Sequence, residues 1–153
     1  MMTLREASLR DLPALAAIEQ ACFSDPWSEG ALRSHLSSPT ARTLVAEEGG
    51  CLLGALLLSV VGDEGEVYRL GVLPDARRRG LGRALMQGGL FLWLAAGVRH
   101  LYLDVRAGNE PAIALYRSLG FTECGRRAGY YRAPREDAVL MERELICDEI
   151  SGN

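Results

Sequence analysis

The chain has 153 residues, 48% of them hydrophobic and 24% charged, the size and balance of one globular domain with a core of its own. A net charge of -3 argues against a general nucleic-acid binder, which presents an excess of base. Cys22, Cys51, Cys124 and Cys147 are widely spaced, form no C-x-x-C pair and have only His35 and His100 beside them, which argues against a metal centre and a histidine-based triad.

Free or buried thiols in a reducing cytoplasm are the expected state of those cysteines. The first residues, MMTLREASLRDL, carry charge and lack the apolar core of a signal peptide. The apolar runs Cys51 to Val61 and Leu90 to Val98 are shorter than the ~20 residues of a membrane span. A cytoplasmic protein without membrane or nucleic-acid partners, a monomer or weak dimer, is the expectation.

Thr3 to Ala7 reads as a first strand. Asp11 then reads as a helix cap, with Pro13 in the first turn. Leu12, Leu15, Ile18 and Cys22 recur at helical spacing, so this helix packs one face on a sheet. The stretch from Phe23 to Trp27 breaks the pattern, and Ser28 with Glu29 opens a second helix carrying Leu32 and Leu36. Trp27 beside Pro26 reads as a plug between helices or as a ligand contact, and the two roles are compatible. His35 has no marked partner and reads as structural or exposed.

Arg42 to Glu47, a Glu48-Gly49-Gly50 turn and Cys51 to Val61 form a hairpin pattern. A second turn, Gly62 to Gly65, returns the chain into Glu66 to Val72, so the first four strands are expected to form an antiparallel meander.

The stretch EVYRLGVLPDARRRGLGRAL, Glu66 to Leu85, joins that strand through a glycine-rich loop to an apolar helix ending at Gly97. Arg77, Gly80 and Gly82 fit R-x-x-G-x-G. Such a loop at a helix start leaves backbone N–H groups for an anion.

His100 to Arg106 is the next strand, with Leu101, Leu103 and Val105 on one face and Tyr102, Asp104 and Arg106 on the other. Asn109 caps a helix from Glu110 to Leu119 that Gly120 closes. Phe121 to Arg126 and Ala138 to Leu145 are expected to pair, joined by a long loop holding Tyr130, Tyr131, Glu136 and Asp137. One domain over residues 1–146 follows, with 147–153 as a frayed tail. The strand-helix-strand unit at the centre should be a right-handed parallel crossover, with ligands at the point where connectivity changes direction.

Pro26-Trp27-Ser28, Leu70-Gly71-Val72, Arg77 to Arg83, Leu103 to Arg106, Asn109, Ala112 to Tyr116, Leu119-Gly120-Phe121, Tyr130-Tyr131 and Glu136-Asp137-Ala138 together resemble the GCN5-related N-acetyltransferases. The likeness is greatest to the bacterial ribosomal-protein N-alpha-acetyltransferases of the Rim type and covers essentially the whole chain. It implies an α/β fold with a mixed central sheet of about seven strands flanked by about four helices.

By that resemblance acetyl-coenzyme A is the co-substrate. The backbone of Leu70, Gly71 and Val72 would hold the pantetheine arm and thioester. Arg77, Arg78, Arg79, Gly80, Leu81, Gly82 and Arg83 would hold the pyrophosphate, Asn109 would contact the pantetheine chain, and Tyr116 would be the general acid. The corresponding family strand reads L-E-V-R, where this chain has Asp104, one methylene shorter. Asp104 is therefore one candidate base, and Glu66, where histone acetyltransferases of this family place theirs, is the other.

An amine attacking a thioester needs a proton acceptor, an oxyanion donor and a proton donor, and these residues supply the first and last. Pro26, Trp27, Tyr130 and Tyr131 are expected to wall an acceptor groove, with Glu136 and Asp137 attracting a cationic amine or neighbouring basic residues. The reading is a transfer of acetyl to a protein N-terminus, in particular the alanine of a small-subunit ribosomal protein. A lysine or small-molecule amine is the alternative acceptor. A catalytically silent acyl-coenzyme A sensor or interaction module is the alternative of another class, against which Tyr116 and Asn109 argue.

Overall fold

The meander at the start of the sheet is set by two tight glycine turns. In the computed structural model, which describes residues 1–146, β1 (Met2–Glu6), β2 (Ala41–Glu48), β3 (Cys51–Val61) and β4 (Glu64–Val72) pair antiparallel in sequence order. β5 (His100–Arg106) joins β4 parallel, and β7 (Glu136–Glu144) lies between β5 and β6 (Thr122–Tyr131). The seven strands form one sheet in the order β1-β2-β3-β4-β5-β7-β6. Four helices flank it: α1 (Leu12–Cys22), α2 (Glu29–Ser37), α3 (Leu81–Ala95) and α4 (Glu110–Ser118). Strand and helix number agree with the expectation from family likeness.

β3 reads as one apolar run because both of its faces are covered. Leu56 and Leu58 point into a core with Leu85, Met86 and Trp93 of α3, together with Leu101 and Leu103 of β5. Ala55 and Leu57 point the other way, against Leu12, Leu15 and Ile18 of α1 and Leu32 of α2. Gly65 is needed where the sheet meets α3: a Cβ there would lie 2.5 Å from Trp93 Nε1, the atom that donates to the Ser59 carbonyl at 2.9 Å. His35 is buried, with Nε2 3.1 Å from the Arg42 carbonyl oxygen, which settles it as structural.

Ser28 and Asn109 cap their helices as expected, accepting from Ala31 N and Ala112 N. Asp11 does not. It precedes α1, but its carboxylate accepts Ser8 N at 2.8 Å and both terminal nitrogens of Arg5 at 2.8 and 2.9 Å. Arg5, on β1, competes successfully for the oxygens that the first turn of α1 needs.

The long loop expected between the last two strands is also corrected. Tyr130 and Tyr131 end β6, and Glu136 and Asp137 begin β7, with Tyr131 opposite Glu136. β6 is an edge strand exposed along most of its length, so it shows no apolar alternation. Gly125 and Gly129 within it look like loop residues. Residues 147–153, including Cys147 and the expected tail, lie outside the described residues. Among the described residues, no helix is long and apolar enough to cross a membrane.

The feature that positions a site is the end of the parallel pairing. β4 and β5 are paired from Glu64 opposite His100 to Val67 opposite Leu103. Beyond Val67 they part, leaving Leu70, Gly71 and Val72 beside an opening.

Candidate active site

On one side of that opening lies the glycine-rich loop. After β4 the chain makes a single turn at Pro74–Ala76, passes Arg77 to Gly80 and enters α3 at Leu81. Gly80 has φ +76° and nothing within 4 Å of where its Cβ would be. Its backbone angle, not a lack of room, makes it glycine. The first N–H in this helix with an intrahelical partner is that of Ala84, bonded to the Gly80 carbonyl. The N–H groups of Leu81, Gly82 and Arg83 thus face outward at the positive end of a 15-residue helix.

The arginines of this loop are mostly tied back. Arg77 Nε donates to the Val72 carbonyl at 3.0 Å, Arg79 to Glu48 at 2.6 Å and Arg83 to Ser118 Oγ at 2.8 Å. Arg78 is exposed, with φ 65°. Cys22 Sγ also donates to the Val72 carbonyl, at 3.3 Å.

Tyr116 projects from α4 and is buried edge-to-face against Phe121, ring centroids 5.8 Å apart. Burial and, secondarily, the nearby Tyr131 raise its phenol well above the ordinary tyrosine range. The hydroxyl therefore stays protonated. Among the described residues it has no hydrogen-bond partner. Asn109 has committed its Oδ1 to the helix cap, 3.3 Å from Ala112 N, which leaves its amide NH₂ to donate elsewhere.

On the other side of the opening is a cleft of about 570 Å³. β4 and β5 form its floor with Glu66 and Asp104. The connection between α1 and α2 supplies Asp25 and Trp27, and the end of β6 with the following turn supplies Tyr130, Tyr131 and Arg132. Glu66 is opposite Tyr102 in the parallel register, so Asp104, two residues beyond Tyr102, projects to the same face. Burial and then the Asp104 charge raise the Glu66 carboxyl above the usual range, with Arg127 opposing them. Tyr131 is pushed up to about 12, by burial and then by Asp104.

Both candidate bases therefore share one cleft with Trp27, Tyr130 and Tyr131. Pro26 does not line it. Trp27 packs on His35 and Tyr68, centroids 5.7 and 6.0 Å away. Glu136 and Asp137 do not face an incoming amine. Glu136 accepts Gly108 N at 2.6 Å and Arg106 Nη1 at 3.2 Å, and Asp137 accepts Gly129 N at 2.8 Å. Their carboxylates are taken by backbone N–H groups and, for Glu136, also by Arg106.

Sequence reasoning missed the support of the near wall. Arg69 of β4 donates to Glu19 at 2.9 Å and to the Asp25 carbonyl at 2.7 Å, and its guanidinium lies 4.0 Å from the Phe23 ring centroid. Glu19, 3% exposed, also accepts Trp27 N at 2.7 Å. The available signal was a glutamate beside Ile18 on the apolar face of α1, four residues after Leu15.

Residues 12–121 match the family model described as the Acetyltransferase (GNAT) family. The chain is 39% identical to the [Ribosomal protein bS18]-alanine N-acetyltransferase of Escherichia coli, over 92% of this chain and 96% of that protein. It is 37% identical to the N-alpha-acetyltransferase RimI of Mycobacterium tuberculosis, covering 94% of this chain and 92% of the relative. The crystal structure of the ribosomal-protein-S18-alanine N-acetyltransferase from Escherichia coli superposes with a TM-score of 0.89, at 38% identity over 94% of each chain.

Proposed function

The chain belongs to the GNAT acetyltransferase family, and from that premise we propose that it is an N-alpha-acetyltransferase for a protein N-terminus, in particular the N-terminal alanine of a small-subunit ribosomal protein. One observation carries the proposal: the β4–β5 splay has outward N–H groups at a helix start on one side and two adjacent carboxylates in a cleft on the other. A donor thioester and an acceptor amine can thus approach from opposite sides. Near full-length likeness to relatives named for alanine N-acetylation supports the choice of acceptor.

Acetyl-coenzyme A fits the residues present and would supply the activated acyl group. The loop of Arg77, Arg78, Arg79, Gly80, Leu81, Gly82 and Arg83 would hold its pyrophosphate through the N–H groups of residues 81–83 and the guanidinium groups. Leu70, Gly71 and Val72 would offer backbone groups to the pantetheine arm along the unpaired edge of β4. Asn109 would donate its free amide.

In the cleft, Trp27, Tyr130 and Tyr131 would wall the acceptor, with Pro26 setting the bend that presents Trp27. Asp104, with Glu66 beside it, would take the amine proton through a bridging water. An N-terminal amine, with a reference pKa of about 8 against about 10.4 for lysine, makes that removal easier. Tyr116, protonated across the working range, would return a proton to the departing thiolate. Its lack of a protein partner suits a hydroxyl that meets one only during reaction.

Acetylation of a peptide library, read by mass spectrometry, tests the reading. A peptide with a free N-terminal alanine should outcompete the same sequence blocked at its N-terminus with an internal lysine left free. If the blocked peptide is the better substrate, the acceptor is a side-chain amine and the proposal fails.

A further inference from the structure

Behind the near wall of the acceptor cleft three rings meet. Trp27, from the connection between α1 and α2, and Tyr68 of β4 both line the cleft. Each packs on His35 of α2, with ring centroids 5.7 Å apart in both pairs and interplanar angles of 66° and 81°. Trp27 and Tyr68 also touch each other, at 6.0 Å. His35 is 8% exposed and Tyr68 41%, so the imidazole is the inner member of the trio.

The inner ring is anchored and the outer two are not. His35 Nε2 lies 3.1 Å from the Arg42 carbonyl oxygen at the start of β2, and a carbonyl only accepts, so Nε2 carries a proton and donates it. Neither the Trp27 indole N–H nor the Tyr68 hydroxyl makes a hydrogen bond to another described residue. Trp27 stands eight residues before His35, about 12 Å along a helix at 1.5 Å per residue, so its side chain must lie back along α2 to reach the imidazole. Tyr68 falls in a register shift: Leu57 pairs with Arg69 and Leu58 with Val67, which leaves Tyr68 in a bulge, where a strand re-aims a side chain. Arg69, 5.7 Å from the indole centroid, is the other support of Trp27.

We propose that His35 is a positioning residue of the acceptor site: its neutral imidazole, anchored to β2, sets the angle at which Trp27 and Tyr68 face the cleft, and a second proton on the ring releases them. This rests on the acceptor reading above and adds to it a pH-sensitive support behind the wall, away from the reacting atoms. Nδ1 has no hydrogen-bond partner among the described residues, so a proton added there would be buried without an acceptor. Burial accordingly holds the imidazole below its ordinary range, with the Arg42 carbonyl opposing.

The charged groups of the surrounding elements are turned elsewhere. Arg42 of β2 carries its guanidinium to Glu6, Arg69 of β4 pairs with Glu19 of α1, and Asp11 before α1 pairs with Arg5. Asp25 lies by Arg69 and Arg106, and Glu29 and Arg33 of α2 are exposed. Because the folded value is depressed, the contribution of the neutral ring is complete above the ordinary histidine pKa of about 6.5. It is lost as pH falls through the lowered value.

The test measures KM for the peptide with a free N-terminal alanine, KM for acetyl-coenzyme A and kcat in the wild type, His35→Ala, His35→Gln and His35→Phe. His35→Gln keeps a donor for the Arg42 carbonyl without a ring, and His35→Phe keeps a ring that cannot titrate. Near neutral pH, His35→Ala and His35→Gln should raise the acceptor KM about tenfold, the loss expected from two edge-on ring contacts. The other two constants should change little, and His35→Phe should restore most of the acceptor KM. From about pH 7.5 to about pH 5.5, across the ordinary histidine range, the acceptor KM should rise several-fold more in the wild type than in His35→Phe. The amine and the cleft carboxylates titrate in both proteins and cancel in that ratio.

Melting temperatures identify a misfolded variant, and His35→Gln with His35→Phe carry the test if His35→Ala is one. An unchanged acceptor KM in His35→Gln overturns the proposal, since the ring is then not needed. An equal rise in KM for acetyl-coenzyme A also overturns it, because the substitution then loosens the whole fold. The same pH dependence in the wild type and His35→Phe overturns it as well. A wild type that prefers the peptide blocked at its N-terminus with an internal lysine free overturns the acceptor reading alone, since the same split of constants is then measured with that peptide.

Discussion

Asn109 apart, the helix-start side of the β4–β5 splay draws its groups from one continuous stretch, Leu70 to Arg83, and uses mainly backbone: the outward N–H groups of α3 and the unpaired edge of β4. The cleft side gathers Asp25, Glu66, Asp104 and Tyr131 from four separate segments and uses side chains. A backbone site is fixed once glycines allow the turn, and it tolerates change in most side chains around it. A side-chain site depends on supports remote in sequence, such as Glu19 beneath Arg69 and Glu136 beneath Arg106. Substitutions on the cleft side should therefore do the greater damage.

The largest effect is expected in the paired carboxylates. Asp104→Asn should lower kcat/KM by about 10²- to 10⁴-fold, the usual loss with a general base, with a smaller effect from Glu66→Gln. The pH profile sharpens the comparison. The Asp104 charge helps to raise the Glu66 carboxyl, so its removal lets Glu66 ionise at lower pH. The acidic limb of the residual activity should then move down in pH. A larger loss in Glu66→Gln would transfer the role of base to Glu66, and an unmoved acidic limb would show the two groups to be independent.

Glu19→Ala tests the support itself. Glu19 and Arg69 are 3% and 12% exposed at their side chains and 2.9 Å apart, and breaking a buried pair by deleting one partner typically costs about 3–5 kcal/mol. Denaturant unfolding should show a loss of that order, and acceptor KM should rise while the KM for acetyl-coenzyme A changes little. Equal increases in both would mean that the wall and the loop are not mechanically separate.

Tyr116 of α4 packs edge-to-face on Phe121, and its hydroxyl makes no hydrogen bond to another described residue. Tyr116→Phe removes an unpaired polar group along with the proposed acid. It should lower kcat by about 10²-fold, at the small end for general acid catalysis, while the melting temperature holds or rises. A fall in both, with kcat per folded molecule unchanged, would return Tyr116 to a packing role.

How legible each side was in the sequence follows from the same contrast. The loop was readable because R-x-x-G-x-G puts arginines and glycines next to one another at a helix start, and the structure places that start at Leu81 behind a left-handed Gly80. The central strands were readable because Leu101, Leu103 and Val105 alternate with polar residues and are buried as that alternation requires. The far wall was not. β6 sits at the sheet edge with both faces largely exposed, so nothing in its pattern separated a strand ending in Tyr130 and Tyr131 from a loop. The donors that the Glu136 and Asp137 carboxylates accept from are backbone N–H groups 28 and 8 residues away, which no local motif records. Family likeness supplied Tyr116 and Asn109, whereas Asp25, Glu19 and Arg69 came into view only with the contacts that join α1 to β4.

The smallest expected effect probes the loop side, where the side chains matter least. Arg79 donates to Glu48 Oε2 at 2.6 Å, and both groups are well exposed. If Arg79 contributes to holding a phosphate, it must either leave Glu48 or bring the anion close to that carboxylate, and both options weaken binding. Glu48→Gln removes the competing charge and keeps the shape. Its dissociation constant for acetyl-coenzyme A, measured by calorimetry at low salt, should therefore fall, by about threefold at most given how little exposed ion pairs contribute. The gain should vanish at high salt as screening shortens the reach of the charge. Dephosphorylated pantetheine, which carries no pyrophosphate, should bind both proteins equally. Weaker binding of acetyl-coenzyme A to Glu48→Gln would show instead that Glu48 holds Arg79 in the orientation the phosphate requires, and the loop would then share the cleft's dependence on remote side chains.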